Sequence, residues 1–364
     1  MNVNLDFLQA GSGDSFLLSF YDSNHKYNIL IDSGTKGIYE LSLKHRLKAL
    51  CEKKEVIDLL IITHIDIDHI GGILKYAERN MMDGKFIKKL IFNSGEIISK
   101  HFNSNIDPSR ETKINIESTA SQVINTNYKH GITFEKVLRD CLSNQWYQEL
   151  IIQGKDIDLG NAKLTVLSPT LESLEELNKK WQNEIPKNDS INSSNRKRDW
   201  DKEIATLSNF NFLQDNSLPN KSSIAFIFTI KNTTKRILFL ADSHMETINK
   251  SLKLLGYSEN NPLKVEMVKL SHHGSKGNLN YEFLNLVRSQ KFLISTSGIN
   301  KLPDKEALSR IVCNSKRNIS ETIEFIFNYP SRNYKNLFTS DDKKKYNFIC
   351  SFNENNSKWA SLKI

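Results

Sequence analysis

An apolar run that ends in a cluster of histidines and aspartates constrains this chain more than any other feature of its sequence. Residues 57–62 read Ile-Asp-Leu-Leu-Ile-Ile, a short apolar run of the kind that forms a buried strand. Four potential metal ligands then occupy six positions: His64, Asp66, Asp68 and His69. In an extended segment the first three share one face, because side chains alternate with period two. Such a cluster predicts a site for a divalent cation such as zinc or manganese.

This cluster resembles the signature of the metallo-β-lactamase superfamily, His-x-His-x-Asp-His, with Asp66 in place of the second histidine. The aspartate form, followed by Ile-Gly-Gly, resembles one branch in particular, the hydrolase domain of the ComEC DNA-uptake proteins and their soluble relatives. Predicted strands and helices that alternate on a mostly β scaffold agree with this resemblance. Together they predict an α+β fold, an αββα sandwich of the metallo-β-lactamase type with helical and loop insertions, in a single domain over residues 1–364.

Two segments in the second half of the chain match the same resemblance. A predicted strand over residues 236–241 ends at Asp242, and a later one ends in Ser-His-His-Gly-Ser. By resemblance Asp242 and His272 are metal ligands, although a structural cap is the simpler interpretation of Asp242 taken alone. Neighbouring side chains on an extended segment point in opposite directions, which leaves His273 for the substrate phosphate or for proton transfer. Ser275 closes this segment as a candidate substrate-binding residue.

The resemblance implies two metal positions with unequal sets of ligands. The first position has only His64 and Asp66. Its set is short because Ser168 stands where the superfamily often has a histidine as a further ligand. The second position has the fuller set: Asp68, His69, Asp242 and His272. The implied cofactor is therefore a divalent metal, zinc or manganese, present as one ion or two.

Two aspartates near the N-terminus, Asp14 and Asp32, also lie next to predicted strands. They resemble the start of the family, where Gly-x-Gly-Asp joins the first strands and Asp-x-Gly closes a later one. We interpret both carboxylates as supports for the ligand-bearing loops rather than as ligands. Gly11 and Gly13 would supply backbone conformations that other residues rarely adopt.

Hydrolysis by a metal-activated water is the reaction that this site implies. Asp66 or Asp68 could orient that water or take its proton. The leading hypothesis is a phosphodiesterase or nuclease acting on DNA, by resemblance to the DNA-uptake branch. The second hypothesis is a hydrolase of a small phosphodiester or other ester. The third is a degenerate metal-binding sensor or scaffold module of a bacterial defence or toxin system, because Ser168 and Leu302 stand where relatives have histidines.

The chain is basic, with a net charge of +8 and a pI near 9.0. This charge favours an acidic partner such as nucleic acid, DNA above all, since lysine and arginine replace counterions along a phosphate backbone. A basic solvated surface explains the same charge equally well. The strongest local concentration is the run Arg196, Lys197 and Arg198, which could contact phosphates or belong to a solvated loop.

The cysteines and the apolar runs predict a cytoplasmic protein. Four cysteines lie far apart without paired spacing, which favours reduced core residues over disulfides or a thiolate metal site. The first residues lack the basic and apolar stretches of a secretory signal, and no apolar run reaches the length of a membrane helix. No pattern identifies a protein partner.

Two segments interrupt the predicted sandwich. Residues 96–154 carry helical patterns, and we predict a helical insertion over the site, where a substrate-selective lid would lie. Residues 183–220 are rich in Asn, Ser, Lys and Asp and predict a mobile loop. The basic run at residues 196–198 falls inside this second segment.

Overall fold

Two large β-sheets form the centre of the computed structural model, which describes residues 3–23, 25–79, 82–104, 126–183, 197–354 and 357–364. The first sheet contains strands from both ends of the chain: β1 (Val3–Leu8), β2 (Phe16–Asp22), β3 (His25–Ile31), β4 (Leu59–Ile61), β5 (Leu90–Ile91) and β16 (Trp359–Lys363). Its order is β16-β1-β2-β3-β4-β5. The strands from β16 to β3 pair antiparallel, whereas β3, β4 and β5 pair parallel.

The second sheet is built from the rest of the chain. Its strands are β6 (Asp156–Leu159), β7 (Ala162–Ser168), β8 (Ala225–Ile230), β9 (Arg236–Phe239), β11 (Met267–Lys269), β13 (Lys291–Ile294), β14 (Ile323–Phe327) and β15 (Phe348–Phe352). Their order is β15-β14-β13-β11-β9-β8-β7-β6, antiparallel from β6 to β9 and parallel from β9 to β15. A separate short pair joins β10 (Leu263–Lys264) to β12 (Val287–Arg288).

The helices connect the strands and lie outside the sheets. Those in the first half are α1 (Leu43–Glu52), α2 (Ile67–Glu78), α3 (Gly95–His101), α4 (Thr126–Leu142) and α5 (Leu171–Asn183). Those in the second half are α6 (Ile204–Ser208), α7 (Leu218–Lys221), α8 (Met245–Leu254), α9 (Tyr281–Leu286), α10 (Lys305–Val312) and α11 (Ser340–Lys345).

The core has three apolar layers, which define the architecture. The sheets pack face to face through an aromatic-rich layer, in which the ring of Phe16 lies 5.6 Å from that of Phe239. The other face of the first sheet packs against α1 to α5, where Leu47 and Ile70 are buried together with Leu30. The other face of the second sheet is covered by α8, α9 and α10. The predicted αββα sandwich is confirmed, because alternating strand positions supply apolar residues to both faces of each sheet.

The described residues of the predicted insertion at 96–154 are helical at α3 and α4, while residues 105–125 lie outside the described ranges. Helix α4 packs against α2, the helix that carries Asp68 and His69. After α4 the chain returns to the edge of the first sheet, where Trp146 pairs with Leu90. A lid function for this segment stays a prediction.

The segment predicted as a mobile loop, 183–220, includes residues 184–196, which lie outside the described ranges. Its later part contains α6 and α7. The Asp199 carboxylate accepts hydrogen bonds from two backbone N–H groups at the start of α10, both at 2.9 Å. The Trp200 indole donates to a nearby backbone carbonyl at 2.9 Å. The described part of this segment therefore packs in a defined position against the helices of the second sheet.

The cysteines occupy less buried positions than we expected. Cys313 and Cys350 are partly buried, but Cys51 and Cys141 are exposed on α1 and α4, so the prediction of core cysteines is wrong for those two. All four are free thiols. Within the described ranges, the helices are too short or too polar to cross a lipid bilayer.

Candidate metal centre

The loop between β4 and α2 carries the first cluster of histidines and aspartates. β4 is fully buried between β3 and β5, and α2 begins after Asp66, which occupies the N-cap position with extended backbone. His64 and Asp66 therefore lie in an extended loop, whereas Asp68 and His69 lie in the first helical turn. An acidic residue in that turn suits the positive end of the helix dipole. The His64 Nε2 atom lies 3.7 Å from Asp66 Oδ2, so the loop already brings two donors together.

Two glycines allow neighbouring backbone to approach this loop closely. A Cβ atom at Gly13 would lie 1.6 Å from the carbonyl oxygen of Asp68, and one at Gly72 would lie 2.1 Å from that of Ser33. Gly13 is thus required by space, whereas Gly11, at φ 76°, is the residue that uses a left-handed conformation. The glycine that follows the signature therefore lets α2 pack directly on the loop after β3.

A carboxylate behind the loop, Asp32, fixes the orientation of two imidazoles. Its oxygens accept hydrogen bonds from the Thr63 N–H at 2.8 Å, the Thr63 hydroxyl at 2.7 Å and the His69 Nδ1–H at 2.8 Å. Because the Thr63 hydroxyl donates to Asp32, its oxygen accepts the Nδ1–H of His64 at 3.0 Å. In each neutral ring the lone pair is then on Nε2, and both Nε2 atoms are buried without a hydrogen-bond partner. A carboxylate that orients a histidine in this way is typical of metal sites.

Asp242 lies at the centre of the cluster, shortly after β9 ends. Its side chain is 3% exposed, and its Oδ1 atom makes no hydrogen bond. Oδ1 lies 3.5 Å from His69 Nε2, and Oδ2 lies 4.0 Å from His64 Nε2. The Asp242 carboxylate is therefore placed to share a cation with both imidazoles.

The two adjacent histidines lie in a tight turn rather than in the extended segment that we predicted. Residues 271–274 form a 3-10 turn in which His272 has φ 46° and His273 has φ 57°. The His272 N–H donates to the carbonyl of Ala241 at 2.9 Å, which holds the turn against the neighbouring strand end. Both Nε2 atoms face Asp242 Oδ2, at 4.0 Å for His272 and 3.6 Å for His273. The expectation that the two side chains point in opposite directions is wrong, because it assumed an extended backbone.

His273 is the deeper of the two, with a side chain 3% exposed against 27% for His272. Its Nε2 lies 3.5 Å from Asp68 Oδ2, and its Nδ1 lies 3.4 Å from Asp14 Oδ1. Asp14 also forms a buried ion pair with Lys269, the last residue of β11. These contacts agree with Asp14 as a support for the loops. The depth of His273 suits a metal ligand better than the predicted contact with a substrate phosphate.

Asp215 belongs to the site, although the sequence did not mark it. Its Oδ2 atom lies 3.3 Å from His272 Nδ1 and accepts hydrogen bonds from the side-chain amides of Asn220 at 2.7 Å and Asn278 at 3.2 Å. It also lies 3.7 Å from His244 Nε2. Asp215 falls in the segment predicted as a mobile loop, so its local composition concealed it. The available signal was the Asn-x-x-Ser run at residues 220–223, which precedes a strand and includes Asn220, a partner of Asp215.

Side-chain exposure separates a closed side of the cluster from an open side. The closed side consists of side chains that are at most 3% exposed: His64, His69, Asp242 and His273. The open side consists of side chains that are 20%, 24% and 27% exposed: Asp66, Asp68 and His272. A substrate can therefore reach the cluster from the side of these three residues.

Burial and mutual charge shift the pKa values of the cluster in opposite directions. Burial lowers the pKa of His64 to about 3, and the nearby charge of His69 adds to this effect. Burial also opposes charge on His273, but Asp242 and other carboxylates outweigh it and raise the pKa of His273 to about 9. Burial and the neighbouring carboxylates raise the pKa of Asp66 to about 7. Burial and the neighbouring carboxylates therefore favour a neutral His64 and a charged His273 in the same cluster.

The donor atoms fit a divalent cation. Around a tetrahedral zinc ion with nitrogen bonds of ~2.0–2.1 Å, neighbouring ligand atoms lie about 3.4 Å apart. The separations between the inward Nε2 atoms and the carboxylate oxygens are 3.5–4.0 Å. Among the described residues, four overlapping sets have ligand atoms within 4.8 Å of one another: His64, His69 and Asp242; Asp68, His69 and His273; Asp14, Asp32 and His69; and Asp14, Asp242 and His273. The cluster can thus hold one ion or two.

The two serines that the sequence singled out do not supply further ligands. Ser168 is buried, and its hydroxyl has no hydrogen-bond partner in the described structure. A neutral hydroxyl is not among the usual ligands of zinc, so Ser168 does not replace the missing histidine. The Ser275 hydroxyl accepts a hydrogen bond from the Gly277 N–H at 3.4 Å and caps the turn that follows. The substrate-binding role predicted for Ser275 stays a prediction beside this structural one.

The predicted basic run is partly occupied by contacts within the protein. Arg198 donates to the carbonyl of Gly298 at 2.7 Å, and its guanidinium carbon lies 4.4 Å from the centre of the Trp200 ring. Lys197 is exposed, and Arg196 lies outside the described ranges. Arg198 therefore has a structural role in addition to any contact with phosphate.

Part of the chain matches the model of a known family. Residues 8–84, which include the whole first ligand loop, match the model of the metallo-beta-lactamase superfamily. No curated protein matches the chain. The match covers 77 of the 364 residues, from Leu8 to Gly84, and includes His64, Asp66, Asp68 and His69. The finer resemblance to the ComEC branch stays a prediction.

Several solved structures are similar at low identity. The metallo-beta-lactamase fold protein YhfI from Bacillus subtilis is 10% identical, with 100% of both chains covered and a TM-score of 0.41. A diphosphatase of the PhnP family is 11% identical over 100% of this chain and 98% of that one, with a TM-score of 0.38. A metallo-beta-lactamase from Staphylococcus aureus is 12% identical over 96% and 97%, with a TM-score of 0.34.

Proposed function

We propose that this protein is a divalent-metal-dependent hydrolase that cleaves phosphodiester bonds, with DNA as its first candidate substrate. One observation carries the proposal: three buried imidazoles turn their Nε2 atoms toward carboxylates without making a hydrogen bond of their own. These imidazoles belong to His64, His69 and His273. Buried polar atoms are nearly always partnered, so such a set favours a bound cation.

The closed and open sides of the cluster suggest a division of roles. A bound cation supplies Lewis acidity and lowers the pKa of a water molecule. His64, His69, His273 and Asp242 would hold it from the closed side. Asp66 lies on the open side with a side chain that is 20% exposed, so its carboxylate can accept the proton of an attacking water.

A phosphodiester is the favoured substrate class because its negative charge suits a basic protein with a cationic centre. The chain has a net charge of +8, which supports attraction of a polyanion. DNA is the first candidate because the signature at residues 63–72 resembles that of the DNA-uptake branch. The net charge and the resemblance at residues 63–72 support the substrate class, whereas the geometry of the cluster supports the metal.

A small phosphodiester is the second candidate, and a cavity favours it. A cavity of about 300 Å³ lies between α2 and α4, lined in part by Lys36, Ile67, His130 and Val137. Ile67 stands between Asp66 and Asp68 in the chain, so the cavity borders the ligand loop. A space of this size suits a small leaving group rather than a duplex. The Arg198 guanidinium already donates a hydrogen bond to a backbone carbonyl, which likewise favours a small substrate over nucleic acid.

A cleavage panel tests the proposal. Protein stripped by a chelator is supplied with Mn²⁺ or Zn²⁺ and incubated with single-stranded DNA, double-stranded DNA, RNA and a chromogenic phosphodiester. We expect metal-dependent cleavage that Asp242→Ala abolishes. The matched control is Asp158→Ala, which removes an exposed carboxylate of β6 that pairs with Lys231 and should retain activity.

The outcomes separate the candidates. Cleavage of DNA supports the leading proposal. Cleavage of the chromogenic phosphodiester alone, without binding of nucleic acid, supports the small substrate. If metal-loaded protein leaves every phosphodiester intact, the proposed function is wrong. A protein that binds no metal at all would support the sensor or scaffold hypothesis instead.

A further inference from the structure

The cavity of about 300 Å³ between α2 and α4 borders the ligand loop but is separate from the metal cluster. Its lining side chains belong to none of the donor sets found among the described residues. We propose that this cavity binds an uncharged heteroaromatic group of the substrate, of the size of one nucleobase, while the scissile phosphate lies at the metal cluster. This inference rests on the proposed function and narrows its substrate class to nucleotides.

Two facing helical stripes form the walls of the cavity. Ile67 and Leu74 lie seven residues apart on α2, which is about two helical turns, so they share one face. His130, Thr133 and Val137 follow the spacing i, i+3, i+7 on α4 and also share a face. The two helices pack against each other, so apolar side chains close the cavity from two opposite sides. Two opposed apolar walls suit a flat ring system.

The titratable groups that line the cavity balance one another. Lys36 and Glu78 form an ion pair with each other. Burial lowers the pKa of His130, and the nearby charges of Lys36 and Lys129 lower it further, so this ring is neutral at pH 7. Lys36, Glu78 and His130 together therefore carry no net charge, which suits an uncharged ligand group better than a phosphate.

A buried nitrogen and a hydroxyl give the cavity a polar edge. The Nδ1 atom of His130 is buried and makes no hydrogen bond within the part of the chain that the structure describes. Buried polar atoms are nearly always partnered, so this nitrogen favours a ligand that supplies the partner. The Thr133 hydroxyl donates to the Lys129 carbonyl at 2.9 Å, and its oxygen can still accept a hydrogen bond. The edge of a nucleobase carries both donors and acceptors, whereas an aliphatic group carries neither.

The position of Ile67 connects the cavity to the metal cluster. Ile67 lines the cavity and stands between Asp66 and Asp68, two side chains of the open side. One sugar separates the base of a nucleotide from its phosphate, so the base can occupy the cavity while the phosphate reaches the cluster. A volume of about 300 Å³ is at the lower end for ligand sites, which suits a single base and excludes a base pair.

Binding of nucleosides to the metal-free protein tests the inference without any measurement of activity. Adenosine, guanosine, cytidine and thymidine are each titrated by calorimetry, beside ribose as a sugar without a base. We expect at least one nucleoside to bind and ribose to give no binding heat. His130→Ala removes a hydrogen-bond partner of the base and should weaken the binding about tenfold.

A matched pair of variants on α4 shows where the nucleoside binds. Val137→Trp fills the cavity and should weaken binding more than tenfold. Lys136→Trp adds the same side chain at the exposed neighbouring position and should bind the nucleoside as the wild type does. Circular dichroism and thermal unfolding confirm that each variant folds, and His130→Ala keeps the test decisive if Val137→Trp does not fold.

A comparison of KM values tests whether the bound base belongs to the substrate. Two esters share one leaving group: methyl p-nitrophenyl phosphate, and the p-nitrophenyl ester of the nucleotide whose nucleoside binds best. With metal bound, the wild type and Lys136→Trp should show a KM at least about tenfold lower for the nucleotide ester. Val137→Trp should bring the two KM values together, because the base loses its cavity.

Three results would overturn the inference: no nucleoside binds, ribose binds as well as the nucleosides do, or both Val137→Trp and His130→Ala leave the binding unchanged. Failure of the proposed function has a different result. A protein that binds a nucleoside in the cavity but cleaves no phosphodiester would refute the hydrolase and leave the cavity as a nucleoside site. A protein that cleaves phosphodiesters but binds no nucleoside would refute the inference alone.

Discussion

The two loops that meet at Asp242 come from different sheets and are built in different ways. The first, residues 62–69, uses ordinary extended and helical backbone, and Asp32 fixes its imidazoles from behind. The second, residues 271–274, holds two consecutive residues in a left-handed conformation and depends on hydrogen bonds to distant segments. The first loop places its imidazoles on the closed side, whereas the second places His272 on the open side. Local sequence thus defines the order of the donors in the first loop, whereas contacts between distant segments define the positions of His272 and His273.

The largest effect should follow from separating the two loops. Asp14, beside the first loop, forms a buried ion pair with Lys269, which leads into the second. Lys269→Met removes the buried cation that contacts both Asp14 and Asp242, which should lower the free energy of unfolding by about 3–5 kcal/mol. Urea denaturation of the metal-free protein measures this loss.

Two further variants make this comparison specific. Lys231→Met breaks a largely exposed ion pair with Asp158 and should change stability little. Lys269→Met/Asp14→Leu removes both buried charges and should recover much of the stability that the single variant loses. A Lys269→Met protein as stable as the wild type would show that the loops are held together in another way.

A smaller effect should follow from weakening the hydrogen bonds that orient the first loop, residues 62–69. Asp32→Asn replaces an oxygen that accepts the Nδ1–H of His69 with an amide that can present a donor instead. We expect the affinity for Mn²⁺ to fall about 10–100-fold, since the imidazole loses its fixed orientation. Isothermal titration calorimetry measures the change, and Asp158→Asn, on the exposed edge of β6, is the control.

A still smaller effect should follow from weakening the hydrogen bonds behind His272 in the second loop, residues 271–274. His272 is partly exposed, and its Nδ1 atom keeps Asn278 Oδ1 as a second acceptor at 3.1 Å. Asp215→Asn should therefore weaken binding by at most about tenfold. A larger loss for Asp215→Asn than for Asp32→Asn would reverse the comparison and make the second loop the more demanding support.

The fold and the first loop could be predicted because their signals are local. The spacing of His64, Asp66, Asp68 and His69 already contains the change from strand to helix that the structure shows. Alternating apolar positions in the strands likewise led to the sandwich. These features depend on residues that are neighbours in the sequence.

The rest of the site could not be predicted because it depends on contacts between distant segments. The left-handed turn at His272 and His273 is held by a bond to Ala241, and an extended strand end was the natural local interpretation. Asp215 lies in a polar segment whose composition predicts a loop. Arg198 carries the charge expected of a phosphate contact, yet its partners are Gly298 and Trp200, which no local pattern indicates.

The smallest expected effect is the release of protons when a metal ion binds, and it involves side chains of both loops. The pKa of His69, in the first loop, lies well above its usual value, because nearby Asp242 and Asp32 outweigh burial, and that of His273, in the second, is about 9. His273 is therefore protonated at neutral pH without metal, whereas His64 is neutral. A metal ligand must be a neutral imidazole or an ionised carboxylate, so binding at pH 7 should release the proton of His273 and part of the proton on Asp66, whose pKa is about 7.

The direction of this pH dependence follows from the raised pKa values. A histidine whose pKa is higher in the folded protein contributes stability fully below its unfolded value of ~6.5 and loses that contribution as the pH rises through the folded value. For His273 this window extends to about 9. The metal-free protein should thus lose stability between these limits while its affinity for Mn²⁺ rises. Calorimetry in buffers with different ionisation enthalpies counts the protons, and binding heats that do not depend on the buffer would show that His273 is already neutral and Asp66 already ionised.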